Sequence, residues 1–370
     1  MNKKAALCLF LFCFYAFSQN PASEIKDNSL SMPEKTFEVF WKTFDDNYAF
    51  FDLKKIDWKA VYKKYRPKVN SETLNDSLFS VLSQMTAPLY DDHVNIIIPN
   101  IRQFTAEKPS PFLKEFPTKA SRDSLWTAVN ETLYKNGFAE LKCAGPEYKG
   151  KKLFSYACSD TCGYIRIERC FASSETEDEP EKDAVLAGIV LDSVLQQMSK
   201  TKALVLDLRS NIGGNDEFAY AVAGRFAASK IVGHYKQTRI TGTRKFTPLE
   251  KWYITPLSQT PYTKPLVILT NDQTASAGDV LAMIMTVLPN TVLAGENTLG
   301  IYSDMYGFEL PNKWLVSLSN QKYFSSKMVC YEGEGTPVNI TVRNTRQDIK
   351  TMEDPVVLTA LKHLNKNKKF

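Results

Sequence analysis

The sequence predicts an α/β fold in which a mainly parallel sheet follows a small helical domain. Between residues 203 and 294, short apolar runs of strand length alternate with runs of helical periodicity: 203–208, 218–228, 266–270, 280–288 and 291–294. Buried strands that alternate with helices are typical of a parallel sheet covered on both faces. Nearer the amino terminus, aromatic residues recur three and four positions apart, which is the spacing of helices packed on one another.

Residues 1–18 have the pattern of a secretory signal peptide. Two lysines precede the apolar run 5–17, and small residues at positions 16 and 18 form a cleavage site. As a helix this run would reach about 20 Å, which is short of the ~30 Å hydrocarbon core of a bilayer. We therefore expect an exported protein, periplasmic or extracellular after cleavage, with no stable membrane span.

The composition is that of an ordinary globular protein and argues against a nucleic-acid partner. Of the 370 residues, 44% are hydrophobic and 24% charged, and the formal charge of +5 falls to +3 when the two lysines of the signal leave. This charge is small and no basic stripe accompanies it. Five cysteines remain after cleavage, and in an exported protein one or two disulfides are expected. Their spacing and the scarcity of histidine argue against a metal site, so neither a metal nor an organic cofactor is expected.

A helical amino-terminal domain is predicted at residues 33–92, after the signal peptide at 1–18 and a mobile leader at 19–32. Three apolar stripes mark its helices: Phe37, Phe40, Trp41 and Phe44; Trp58, Val61, Tyr62 and Tyr65; Leu78, Val81, Leu82, Met85 and Leu89. Asn70 or Ser71 is expected to cap the third helix. The α/β core is expected at residues 93–370, with an irregular insertion at about 100–160.

Two strand ends carry residue types that suit acyl-transfer chemistry. The segment 202–214 (KALVLDLRSNIGG) ends in Gly213 and Gly214, whose bare backbone can present N–H groups to an oxyanion. The segment 265–280 (PLVILTNDQTASAGDV) places Ser276 just before a predicted helix, where a serine can act as a nucleophile. Two plainer interpretations stay open from these residues alone: Ser276 caps the helix, and the glycines turn the chain.

Six segments, in order, resemble the carboxy-terminal processing serine peptidases, in particular the branch similar to the catalytic core of tricorn protease. They are residues 45–69, YDDHVNI at 90–96, GYIRI at 163–167, DLRSNIGG at 207–214, TASAGD at 274–279 and YEGEG at 331–335. The resemblance extends from about residue 36 to the predicted closing helix at 354–364. It implies a ClpP/crotonase-like α/β core with a small helical amino-terminal domain.

The resemblance also implies roles for the two strand ends. Ser276 matches the nucleophile of the family. The backbone N–H of Gly213 or Gly214, together with that of Ala277, matches its oxyanion hole. Loss of one such donor commonly costs about 3–4 kcal/mol of transition-state stabilisation.

A serine nucleophile needs a base, and the chain has three histidines. His93 lies in the motif that supplies the general base in the tricorn-like branch, whereas His234 and His363 match no motif. Glu332 matches the glutamate that orients this histidine, and Glu334 is the second candidate. The alternatives are that His93 is structural and that both glutamates lie on the surface.

Departures from the family pattern bear on activity. A second branch uses a Ser-Lys dyad, but Ile301 occupies the place of that lysine and cannot accept a proton. Asp92 stands where the tricorn core has a serine, and Ser303 is a candidate to replace it in space. The segment 335–339 (GTPVN) replaces the usual G-x-x-P-D.

We therefore predict an exported serine endopeptidase that acts on polypeptides. Asp92 and the altered segment 335–339 motivate an alternative, a catalytically inactive peptide- or lipid-binding protein on the same fold. A hydrolase of small esters is the other alternative, because fold alone does not fix the substrate.

Overall fold

The computed structural model describes residues 20–176 and 178–366, and the predicted signal peptide lies outside them. The chain forms two compact units. The first comprises the described residues up to Pro109 together with Lys236–Leu249 and Ser303–Lys322. The second comprises Ser110–Tyr235, Glu250–Tyr302 and the described residues from Tyr323 onward. Among all of these residues, no helix is long and apolar enough to cross a membrane.

Helices and strands alternate along much of the chain. The helices are α1 (Met32–Asn47), α2 (Trp58–Tyr65), α3 (Asn75–Thr86), α4 (Pro111–Glu115), α5 (Lys119–Lys135), α6 (Pro180–Gln197), α7 (Asp216–Ala223), α8 (Ala277–Met285), α9 (Arg346–Thr351) and α10 (Pro355–Lys366). The strands are β1 (Asp91–Ile98), β2 (Arg102–Ala106), β3 (Lys142–Tyr148), β4 (Lys151–Cys158), β5 (Cys162–Ile167), β6 (Ala203–Asp207), β7 (Ile231–Thr238), β8 (Glu250–Ile254), β9 (Leu266–Thr270), β10 (Thr291–Gly295), β11 (Met305–Glu309), β12 (Leu315–Ser319), β13 (Gln321–Ser325) and β14 (Ile340–Thr341).

The three amino-terminal helices form where the aromatic stripes predict them. The indole N–H of Trp41 donates to the carbonyl of Trp58 at 3.1 Å, and the indole N–H of Trp58 donates back to Trp41 at 3.0 Å, which locks α1 against the start of α2. The predicted cap of the third helix is wrong. Helix α3 begins at Asn75, and Asn70 instead accepts from the Glu72 N–H in the preceding turn.

The sheet of the first unit has the strand order β11-β12-β1-β2, with antiparallel pairing throughout. Strand β1 contains His93, the residue at which the core was expected to begin. Because β1 pairs with β2 on one side and with β12 on the other, the first unit extends past the predicted domain end at residue 92. A separate sheet has the order β13-β7-β8.

The second unit is built on a seven-stranded sheet in the order β14-β10-β9-β6-β5-β4-β3. The strands from β14 to β5 are parallel, which confirms the predicted α/β core. Strand β6 alternates between the two faces. Leu204 and Leu206 pack in the cluster with α6, α7 and α8, whereas Val205 packs in the cluster with α5 and α10. Burial on both faces explains the continuous apolar runs in the sequence.

Residues 100–160 are regular, contrary to the expected irregular insertion. Strand β4 pairs antiparallel with β5, and β3 pairs antiparallel with β4 at the sheet edge. Helix α5 begins at a Thr118 cap whose hydroxyl accepts from the Ser121 N–H at 3.1 Å. The expected disulfides do not involve Cys143, Cys158 or Cys170, which have free thiols. Cys162 and Cys170 are buried in the core while Cys143 is exposed, so burial already separates several of the candidate partners.

Candidate active site

Ser276 lies on the turn between β9 and α8, at the carboxyl edge of the parallel sheet. Its backbone has φ 56° and ψ −124°, a conformation that side-chain-bearing residues seldom adopt, and it directly precedes the first helical residue, Ala277. Ser276 is partly exposed although Ala277 and the rest of α8 are buried. A strained serine on a sharp strand-to-helix turn is how α/β hydrolases present a nucleophile. The sequence therefore places a reachable hydroxyl at the amino end of a buried helix.

Two backbone N–H groups beside this turn are available as donors. Neither the N–H of Ala277 nor that of Gly214 makes a hydrogen bond with any residue that the structure describes. The N–H of Gly213 is occupied, because it donates to Oδ1 of Asn211 at 2.9 Å. Of the two glycines that the sequence offers as alternatives, Gly214 is therefore the one whose amide is available.

The two glycines are required by close approach as well as by conformation. Gly213 has φ +82°, and a Cβ there would lie 2.6 Å from Cβ of Ser276 and 3.2 Å from the Ala277 nitrogen. Gly214 has φ +146°, and a Cβ there would lie 2.3 Å from the carbonyl oxygen of Cys170. The glycine loop thus lies directly against the serine turn, in a geometry closed to any side chain.

Asn211 ties these loops together, a role that the sequence did not single out. It is fully buried, and its Nδ2 donates to the Ile167 carbonyl at 2.9 Å. Its own backbone carbonyl accepts from the Ala275 N–H at 2.9 Å, next to Ser276. One residue therefore joins the end of β5, the glycine loop and the serine turn. In the sequence, only the position of Asn211 within the motif at 207–214 could have indicated this role.

Asp279 is the second residue that sequence reasoning missed. Its Oδ2 accepts from the N–H of Ser276 at 2.9 Å and of Ile301 at 3.2 Å, and Oδ1 accepts from the N–H of Gly300 at 2.9 Å. Burial raises the pKa of this carboxyl to about 6, while hydrogen bonds from Thr298 and the backbone hold it down. Asp279 fixes the serine turn to the segment at 298–302, and only its place in TASAGD could have indicated it.

The segment held by Asp279 also holds Glu332. The N–H of Tyr302 donates to Oε2 of Glu332 at 3.0 Å, and the N–H of Gly333 donates to the Gly300 carbonyl at 2.7 Å. Glu332 is buried whereas Glu334 is exposed. The structure thus brings Ser276 and Glu332 into one hydrogen-bonded network of the second unit.

His93 belongs to the first unit. Asp91 Oδ1 accepts from its N–H at 3.0 Å, and Ser317 Oγ donates to its carbonyl at 2.7 Å. Burial lowers the pKa of the imidazole, against the charges of Asp91 and Asp304 and a hydrogen bond to the Ser303 backbone, all of which raise it. The Nδ1 atom is buried and makes no hydrogen bond with any described residue.

The residues that depart from the family pattern form hydrogen bonds with residues near them in the structure. Oδ1 of Asp92 accepts from the Lys108 N–H at 3.0 Å, and burial raises the pKa of this carboxyl to about 6. Ser303 is next to the His93 imidazole, and its hydroxyl donates to the Asp304 carbonyl at 2.7 Å. Asn339 accepts from the Leu293 N–H at 2.8 Å.

The two remaining histidines are not part of this site. His234 lies in β7, stacked on Trp252 and Tyr323. His363 is half-buried in α10. Nor do the described residues contain a group of three or more histidines, cysteines or acidic residues that could hold a metal ion.

The fold and the serine turn define a class of site. A serine on a strained turn, beside two N–H groups without acceptors, is the arrangement that α/β serine hydrolases use for acyl transfer. Comparisons with known proteins define the family. The profile of peptidase family S41 matches residues 161–342, and that of the tricorn protease C1 domain matches residues 33–87. The chain thus contains a peptidase family S41 domain at residues 161–342, and the predicted likeness to the carboxy-terminal processing and tricorn proteases is confirmed.

Individual relatives agree with this assignment. The carboxy-terminal processing protease CtpA of Bacillus subtilis is 24% identical over 311 residues, which cover 77% of this chain and 64% of that protein. The chain thus spans just under two thirds of the length of this curated relative. A crystal structure from Parabacteroides merdae, assigned as a peptidase, is 25% identical with a TM-score of 0.74, covering 90% of this chain and 97% of that one. The photosystem II D1 C-terminal processing protease shares the fold, with 14% identity, a TM-score of 0.51, and 88% and 99% coverage.

Proposed function

We propose that this chain is an exported serine endopeptidase in which Ser276 is the nucleophile and His93 the general base. Glu332 orients the imidazole of His93. The N–H groups of Gly214 and Ala277 form the oxyanion hole. The substrate is a polypeptide, and no metal or organic cofactor takes part.

The proposed reaction has two acyl-transfer steps. The Ser276 Oγ attacks the carbonyl carbon of the scissile peptide bond while His93 accepts the hydroxyl proton. The carbonyl oxygen becomes an oxyanion between the two free amides. As the tetrahedral intermediate collapses, the C–N bond breaks and His93 returns the proton to the leaving amine. Water, deprotonated by the same imidazole, then hydrolyses the acyl ester and restores the serine.

The observation that carries this proposal is the pair of N–H groups without acceptors beside Ser276. Ser276 and Asp279 form a capping box at the start of α8, and the Ala277 N–H is one of the four that a helix leaves unbonded, whereas a helix cap does not account for the second N–H, that of Gly214. A hole made of fixed amides needs no reorganisation when charge develops, which is why such donors have large effects on rate. Asp279 and Asn211 hold the backbone of both loops, so the donors are preorganised before substrate binds.

The state of His93 supports its proposed role. A general base must be neutral to accept a proton, and burial favours the neutral imidazole. Its buried Nδ1 has no acceptor or donor among the described residues, so a ring nitrogen is available for a catalytic hydrogen bond. Glu332 would stabilise the imidazolium that forms, as carboxylates do in other triads.

Export is proposed from the signal-peptide pattern of residues 1–18. The inactive-binder alternative was motivated by Asp92 and the altered segment at 335–339. In the structure Asp92 accepts from the Lys108 N–H and Asn339 accepts from the Leu293 N–H of β10, so each departure has a local structural role that does not depend on a loss of catalysis. This favours the peptidase over the binder.

The test uses the chain from residue 19 to 370 and its Ser276→Ala variant. Each is incubated with an unstructured polypeptide and with a short-chain acyl ester, and products are identified by mass spectrometry. We expect internal peptide fragments from the unmodified chain alone. Ester turnover without any peptide fragment would support a small-ester hydrolase instead. The absence of both products between about pH 5 and 9, a range that brackets the ordinary histidine pKa, would support the binding protein.

A further inference from the structure

A groove in the second unit lies outside the proposed catalytic machinery. It has a volume of about 490 Å³ and lies along α6, α7 and β8. Its lining residues are Glu181, Ala184, Val185, Ile189, Glu217, Tyr220, Ala221, Arg225, Trp252, Tyr253, Thr255 and Leu257. Four of the apolar ones are 41–62% exposed: Val185, Ile189, Tyr253 and Leu257. Such a concentration of exposed apolar side chains on a folded surface marks an interaction site.

The aromatic wall of the groove is held rigidly from behind. His234 is fully buried, and its ring stacks on Trp252 at 5.5 Å and on Tyr323 at 4.9 Å. The Tyr220 hydroxyl is hydrogen-bonded to Nδ1 of His234 at 2.7 Å. Tyr220 and Trp252 therefore present fixed ring surfaces to the groove, which lowers the entropy lost on binding.

The charged residues that line the groove favour a cationic ligand, which would lie apart from the Tyr253 ring because the Lys230 ammonium is already 4.6 Å from that ring. Arg225 is neutralised within the fold, because its guanidinium bonds both oxygens of Asp192 at 3.0 and 3.1 Å. Glu181 and Glu217 form no ion pair in the part of the chain that the structure describes. Carboxylates beside aromatic ring faces are the surroundings that bind an ammonium or guanidinium group.

Helix α7 connects the groove to the glycine loop. Helix α7 begins at Asp216, two residues after Gly214, and Glu217 and Tyr220 lie on its groove face within about 6 Å of that start along the helix axis. Tyr323 fixes this end of the helix by donating to Oδ2 of Asp216 at 2.8 Å. An extended peptide rises about 3.3 Å per residue, so about two substrate residues cover this length of α7.

We propose that the groove binds a segment of the polypeptide substrate in which a lysine or arginine adjoins an apolar side chain. The apolar side chain packs among Val185, Ile189 and Leu257, and the cationic group lies between the aromatic wall and Glu181 and Glu217. The groove thereby selects substrates by sequence at a distance from the cut bond. The proposal rests on the proposed function in naming a polypeptide substrate as the occupant.

The test measures binding without turnover. The Ser276→Ala chain is titrated with two fluorescent unstructured peptides of equal length that differ only by Lys or Glu beside a leucine, with anisotropy as the readout. We expect the lysine peptide to bind about tenfold more tightly, as one cation–π contact and two partly exposed carboxylates allow. In the Glu181→Gln/Glu217→Gln background this preference should fall to less than about twofold. Glu131→Gln, an exposed change on α5, is the matched control and should retain the full preference.

Equal binding of the two peptides, or a preference that survives the double substitution, would overturn the proposal. Sedimentation of the same proteins identifies the rival occupant. A dimer that Val185→Asp converts to a monomer would show that a second copy of the chain covers the groove, and would also overturn it. Because the assay uses the Ser276→Ala chain, its outcome is separate from whether the unmodified chain cleaves peptides. If that chain does cleave, replacing the lysine of the substrate with glutamate should raise KM and leave kcat unchanged.

Discussion

Ser276 has a backbone conformation that costs stability, and hydrogen bonds on both sides maintain it. Residues with a side chain in such regions of φ and ψ cost of the order of 1–3 kcal/mol each. Asp279 accepts from the Ser276 N–H, and Asn211 accepts from the N–H of the residue before it. Buried polar groups on Asp279 and Asn211 thus hold the serine turn.

The buried state of His93 predicts the pH dependence of catalysis. Because burial lowers its pKa, the imidazole stays neutral to a lower pH than a free histidine, whose pKa is about 6.5. The kcat/KM for peptide cleavage should therefore rise with pH with a midpoint below about 6.5. The measurement is a pH–rate profile on a substrate without groups that titrate in the acid and neutral range. A midpoint above this value would exclude buried His93 as the base.

Asp279 gives a second, separable prediction. Asparagine has one acceptor oxygen where the carboxylate of Asp279 serves three N–H groups, so Asp279→Asn should lower kcat/KM about 10- to 100-fold. Protonation of Asp279 as the pH falls through about 6 also removes an acceptor. On the acid side, the pH–rate profile of the unmodified chain should therefore fall more steeply than the titration of a single group allows. In the Asp279→Asn variant, the acid side of the profile should have the slope expected for the titration of one group.

Asp272→Asn is the matched control for this change. Asp272 is in the same loop but accepts from Ser110 and Phe112, away from the serine turn. Its substitution should alter kcat/KM less than about threefold, because no bond to the serine turn is lost. Full activity in Asp279→Asn would contradict the positioning role of Asp279.

At the scale of elements, the site depends on two loops that leave neighbouring parallel strands. The glycine loop follows β6, the serine turn follows β9, and these strands pair directly. The open carboxyl ends of such strands are where α/β proteins bind their ligands. The short distance between Gly213 and Ser276 follows from this pairing.

Gly214→Ala tests the fit of the glycine loop. The added Cβ would lie 2.3 Å from the Cys170 carbonyl, so the loop must move and displace a donor of the proposed oxyanion hole. We expect kcat/KM to fall at least about 100-fold. Gly150→Ala is the control, because Gly150 also has a positive φ but open space around its Cα. It should lose about 1 kcal/mol of stability and no activity. Near-normal activity of Gly214→Ala would remove Gly214 from the hole.

Arg209, in the same motif as the glycines, supports the sheet through buried ion pairs. It forms buried ion pairs with Asp207 at 2.6 Å and with Asp354 at 2.7 Å. Burial opposes its charge, but the two carboxylates keep its pKa well above the ordinary value. The arginine therefore joins the end of β6 to the start of α10.

Arg209→Met should lower the free energy of unfolding by about 3–5 kcal/mol, because it leaves two carboxylates buried without their cation. Urea denaturation measures the loss. Lys119→Met, which removes an exposed pair with Asp123, should cost at most about 1 kcal/mol. A loss for Arg209→Met no larger than that of the control would show that the buried carboxylates readjust without it.

At the scale of the whole molecule, the proposed machinery is divided between the two units. His93 belongs to the first unit, whereas Ser276, Glu332, Gly214 and Ala277 belong to the second. The sequence predicted the parallel strands and their helices well, because burial on both faces leaves long apolar runs. It also predicted the amino-terminal helices, whose aromatic stripes are strong.

Other features of the fold and the site could not be predicted from local sequence patterns. The antiparallel strands β3 and β4 are half-exposed and rich in lysine, so residues 100–160 lacked a strand signal. The occupied N–H of Gly213 depends on the rotamer of Asn211, which sequence does not reveal. In the sequence, Asp279 has the position of an ordinary acidic residue in the first turn of a helix. Its hydrogen bonds from the N–H groups of Gly300 and Ile301 join residues that are 21 and 22 positions apart. These features depend on contacts between residues far apart in the chain, so local sequence patterns could not predict them.

The central claim is that Ser276 is an activated nucleophile. The most direct measurement is reaction of the purified chain with a fluorophosphonate, followed by intact mass and peptide mapping, beside the Ser276→Ala and His93→Gln variants. We predict one added phosphonyl group per chain, on Ser276, absent from Ser276→Ala and formed at least about 100-fold more slowly in His93→Gln. No added mass, or mass on a different serine at the same rate in all three proteins, would contradict this claim.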